Sequence, residues 1–78
     1  MTTHRLAEYA ALDRPALLRL AVDLLVPWFR LPRRREYDRE HDELHEAIQD
    51  AKEAFRRHGM GESEWKACRA EAAARVRA

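Results

Sequence analysis

Residues 16–31, ALLRLAVDLLVPWFRL, hold too few polar side chains for an ordinary surface helix in a chain of 78 residues. On a helical wheel, Arg19, Asp23 and Arg30 share one sector of about 40°. The rest of the circumference carries two apolar faces. Leu17, Ala21, Leu24 and Trp28 form one, and Leu18, Val22, Leu25 and Phe29 form the other. A surface helix shows one apolar stripe, whereas a helix apolar nearly all round must be buried on nearly all sides. So short a chain has little material to cover both faces. The expectation is that a second copy or a different protein covers one of them.

Seventy-eight residues make one domain, 1–78, near the margin of independent stability. Only one cysteine, Cys68, is present, so no intrachain disulfide can form. That suits a reducing, cytoplasmic compartment. The N-terminal residues lack a signal-peptide pattern. The apolar segment is shorter than a spanning helix and carries three charges, so no membrane role is expected.

The formal net charge of +1 sets no global attraction to nucleic acid or to an acidic partner. The distribution is uneven, however. Arg30, Arg33, Arg34 and Arg35 crowd into six residues. Glu36, Asp38, Glu40, Asp42, Glu43 and Glu46 follow at once, offset only by Arg39. The thirteen arginines against two lysines, with many alanines, reflect a GC-rich genome more than chemistry.

Glycine occurs only at positions 59 and 61, β-branched runs are absent and no strand-like alternation persists. The chain therefore reads as all-α, a small bundle of about four helices. The first spans about 3–11, with Leu6, Tyr9 and Ala10 inward. The second spans 14–31, opened by Asp13 as N-cap and Pro15 in the first turn, kinked at Pro27 and ended by Pro32. The third spans 34–58, where Tyr37, His41, Leu44, Ile48, Ala51, Phe55 and His58 repeat at alternating spacings of four and three. Its acids lie towards the N-terminus and Arg56 and Arg57 towards the C-terminus, which complements the helix dipole. Gly59 supplies the C-cap. The fourth spans 62–76, with Ser63 as a turn or cap residue and Trp65, Cys68, Ala72 and Val76 as its stripe. Helices three and four should fold back as a C-terminal antiparallel hairpin, with Phe55 near Trp65, Ala51 near Cys68 and Ile48 near Ala72.

Few constellations could carry chemistry. His41 and His45 stand one helical turn apart, a spacing that two ligands of one metal ion can use. A third ligand is needed, and Cys68 should lie about 10 Å along the axis from His45. The reading adopted is no metal and no cofactor, with the two imidazoles in or beside the helix seam. Cys68 reads as a small buried hydrophobe, not a reactive thiol. The acidic run could mimic nucleic-acid phosphates, but a solvated helix face explains it as well. No Gly-rich phosphate loop and no serine-based triad exist, so no enzyme activity is expected.

The sequence thus points to a non-enzymatic helical protein–protein interaction module, dimeric, acting as a regulator or inhibitor of a protein partner. Its anchors would be Leu18, Val22, Leu25, Trp28 and Phe29, and its charged rim Arg30, Arg33, Arg34 and Arg35, since large aromatics and arginine dominate interface energetics. One alternative is nucleic-acid binding through the same arginines. Another is a phage or mobile-element inhibitor of a host complex, of the anti-CRISPR kind, a subclass no residue pattern singles out.

Overall fold

The structure, a computed structural model, describes residues 2–31 and 39–78, without the side chains of residues 2–4. The expected end of helix two at Pro32, the start of helix three at 34, Tyr37, and Arg33, Arg34 and Arg35 lie outside the described residues. Among the described residues the chain forms four helices and no strand: α1 (Thr2–Ala10), α2 (Arg14–Arg30), α3 (Arg39–Arg57) and α4 (Glu62–Arg77). None of these is long and apolar enough to cross a membrane.

Local chemistry sets the helix ends. The Asp13 side chain accepts from the Ala16 N–H at 2.9 Å, with Pro15 in the first turn of α2. α2 runs through Pro27 to Arg30. Proline removes the N–H that would bond the Asp23 carbonyl, and Asp23 is exposed, so water can take that carbonyl instead.

The end of α3 is a Schellman motif. The Met60 N–H donates to the Phe55 carbonyl at 2.9 Å and the Gly59 N–H to the Arg56 carbonyl at 3.0 Å. Gly59 sits at φ +72°, in the left-handed region where a Cβ is disfavoured. Met60 and Phe55, both buried, supply the apolar contact of that motif. The next helix is capped at Gly61, not Ser63: Gly61 has no side chain, and its N–H donates to the Glu64 carboxylate at 2.7 Å.

A single cluster joins Leu17, Ala21, Val22 and Leu25 of α2, Ile48, Ala51, Ala54 and Phe55 of α3, Met60, and Trp65, Cys68 and Ala72 of α4. α2 is the common partner of α3 and α4, while α1 packs on α3. Leu6, Tyr9 and Ala10 face this cluster from α1. The His58 Nε2–H donates to the Ala10 carbonyl at 2.9 Å, and Arg5 lies 3.6 Å from Asp50, so two polar contacts also hold α1 on α3.

The hairpin is close only at its turn, where Phe55 and Trp65 meet edge to face at 5.1 Å. Beyond that, α4 takes α2 as its main partner, and the expected seam between Ile48 and Ala72 gives way to one between α2 and α4. The physical reason is size. The edge-to-face rings of Phe55 and Trp65 join α3 and α4 at the turn, while Cys68 and Ala72 are small enough for α4 to lie close on α2. The Cys68 Sγ approaches the Leu18 carbonyl at 3.7 Å.

Candidate functional site

α2 packs against two different helices of the same chain. The Trp28 ring stacks on His41 of α3, and the Leu18 backbone carbonyl lies 3.7 Å from the Cys68 thiol of α4. Val22 and Leu25, expected as partner anchors, are core residues, 2% and 3% exposed. Neither can touch a partner while the fold is intact. The shortage of covering material is therefore smaller than the sequence implied, because α4 turns onto α2 instead of lying along α3. Leu18, Trp28 and Phe29 remain half-buried and Arg30 is exposed. The expected surface thus stays partly accessible at Leu18 and at the C-terminal end of α2, where Trp28, Phe29 and Arg30 follow one another.

Two imidazoles surround Trp28. The His41 ring is 4.6 Å away with 20° between planes, and the His45 ring 5.9 Å away with 40°. The spacing that made this pair a metal candidate, one helical turn on α3, instead places both rings beside one indole. Among the described residues, no three His, Cys, Asp or Glu side chains gather where they could hold a metal ion. Cys68 lies in the α2–α4 seam, and burial, helped by Glu71, pushes its thiol above its ordinary ionisation range. That makes it a poor nucleophile at neutral pH.

A second feature escaped the sequence reading. Between α3 and α4, next to their turn, lies a groove of about 450 Å³. Phe55, Met60 and Trp65 form its floor. Lys52 and Arg56 line one wall, Lys66 and Arg69 the other, with Glu62 at its end. Lys52 Nζ sits 5.4 Å from the centre of the Trp65 ring, a cation–π distance. The Arg56 guanidinium makes two contacts to the Glu53 carboxylate, at 2.8 and 3.0 Å, which hold that carboxyl below its usual range. The signal was present but diluted. Basic residues four apart on α3 and three apart on α4 are interleaved with acids, so that α3 is net acidic and α4 only weakly basic.

Comparison of the chain with protein-family models, characterised proteins and solved structures found no match.

Proposed function

We propose that the chain is a non-enzymatic helical interaction module that regulates or inhibits a protein partner by occupying part of its surface. The observation that carries this reading is the end of α2. There the half-buried aromatics Trp28 and Phe29 stand beside exposed Arg30, on a helix that also leaves Leu18, Leu20, Leu24 and Val26 only half-buried. Aromatics and arginine at a partly desolvated edge are the residue types that dominate interface energetics. Arg33, Arg34 and Arg35 would extend the charged rim. Val22 and Leu25 support this surface from beneath. The site of action is the reducing cytoplasm, where the single buried thiol of Cys68 stays reduced.

The test is absolute mass by light scattering after size exclusion, for the parent and Phe29→Glu, followed by affinity capture with each. A parent near twice 9.2 kDa that falls to 9.2 kDa in Phe29→Glu assigns the surface to a second copy. A monomer whose capture of a specific protein is lost in Phe29→Glu assigns it to that protein. Unchanged mass together with unchanged capture overturns the reading. Nucleic acid that co-purifies, and is released by replacing Arg30, Arg33, Arg34 and Arg35 with glutamine, would favour the nucleic-acid alternative.

A further inference from the structure

We infer that the groove between α3 and α4 binds an acidic segment of a partner protein, with carboxylates on both edges of one apolar side chain. This site is separate from the Trp28–Phe29 surface and does not depend on it. The argument starts from rigidity. The Schellman motif fixes the end of α3, the Gly61–Glu64 bond fixes the start of α4, and the Phe55–Trp65 contact sets the gap between them. The walls are therefore preformed, which lowers the ordering cost of binding.

Charge defines the ligand. Four cations face one carboxylate, Glu62, across the groove. Arg56 already shares its charge with Glu53. Lys52, Lys66 and Arg69 make no ion pair among the described residues, and all three are exposed. By chain order, Arg56 and Lys66 lie nearer the turn, and Lys52 and Arg69 farther from it. The two pairs are about 4.5–6 Å apart along the helices, close to the spacing of carboxylates one helical turn apart on a ligand. Cations on two facing walls over an apolar floor concentrate the field between them. An apolar side chain between those carboxylates would rest on Phe55 and Met60, beside the Trp65 ring that carries the Lys52 ammonium.

The same features disfavour other occupants. Single-stranded nucleic acid gains affinity by stacking bases on open aromatic faces. Here the Trp65 face carries the Lys52 ammonium and its neighbour Phe55 closes in edge to face. Glu62 at the end of the groove would oppose a continuous phosphate chain, yet leaves room for a short acidic segment. The chain's own acidic run also lacks the required pattern. Glu46 is near Arg5, and Leu44, the apolar residue within that run, is half-buried.

The experiment is fluorescence anisotropy with a labelled helical peptide carrying glutamates at i and i+4 around a leucine. A lysine-for-glutamate version and a labelled oligothymidine serve as comparisons. The expected result is micromolar binding of the acidic peptide alone, weakened by up to about fivefold by Lys52→Glu and again by Arg69→Glu, the size set by loss of exposed ion pairs. Phe29→Glu should leave it unchanged, which separates failure here from failure at the α2 surface. Circular dichroism checks that the variants fold, and their exposed positions favour that. Absence of binding, binding indifferent to both reversals, or preference for the oligothymidine overturns the proposal. So does a concentration-dependent dimer abolished by Lys52→Glu, which would make a second copy the occupant.

Discussion

Trp28 and His41 lie in a stacked arrangement, ring centroids 4.6 Å apart and planes 20° from parallel, and this contact ties the end of α2 to the beginning of α3. It joins residues that the sequence reading assigned to different jobs, one to an interface and the other to a seam or metal site. Aromatic pairs of this kind contribute about 0.5–1.5 kcal/mol beyond area burial. A double-mutant cycle of His41→Ala with Trp28→Leu should return a coupling energy in that range when followed by urea unfolding. His45, exposed and more tilted, should show a smaller coupling to Trp28.

The two glycines flanking Met60 should respond differently to alanine. Gly59 has a positive φ of 72° and open space around its missing Cβ, so Gly59→Ala meets only backbone strain. That strain should lower stability by about 1–2 kcal/mol. Gly61 has φ −99°, and an added Cβ would meet only a Glu64 oxygen at 3.6 Å, an ordinary contact. Gly61→Ala should therefore stay within about 0.5 kcal/mol of the parent, as innocuous substitutions do. Chemical denaturation of both variants checks the contrast.

Cys68 should be slow to react and should make the fold alkali-sensitive. Burial raises the folded thiol above its ordinary value of 9.0, whereas the unfolded thiol ionises there. The folded state thus holds the proton longer. Stability is fully present below pH 9 and falls as the pH rises past it. Tyr9, also raised by burial, adds a further decline above pH 10. Cys68→Ala should flatten the first part of that decline in urea titrations run from neutral to alkaline pH. In the parent, thiol alkylation at neutral pH should proceed only as fast as local opening allows, and added urea should accelerate it.

Local features of the fold were legible because their physics is local. Asp13 and Pro15 announce a helix start, Gly59 a helix end, and the alternating spacing from His41 to His58 one buried face of α3. What the residues between them could not disclose was pairing. Leu18 and Val22 are apolar whether a second chain or α4 covers them, and only the small size of Cys68 and Ala72 hints that α4 can come close. The groove was hidden for the same reason. Lys52 and Arg69 are far apart in the chain, and their charges cancel against neighbours that point elsewhere. Their convergence depends on the turn that brings Phe55 and Trp65 into contact.

Leu25 and Phe29, four residues apart on α2, differ in burial, and the difference leads to a sharp comparison between them. Leu25 is 3% exposed within the core cluster, so Leu25→Ala should cost about 2–5 kcal/mol in the isolated chain, whatever its partner. Phe29 is half-buried at the rim, so Phe29→Glu should cost the isolated chain less, about 1–2 kcal/mol, the value of part of a side chain's burial. Its larger effect should fall on association, seen as a lowered solution mass or a lost partner. The measurement is urea unfolding of both variants at low protein concentration, where association does not contribute. If Leu25→Ala were the milder substitution, Leu25 would not be a core residue, and the face of α2 it occupies would again need covering from outside the chain.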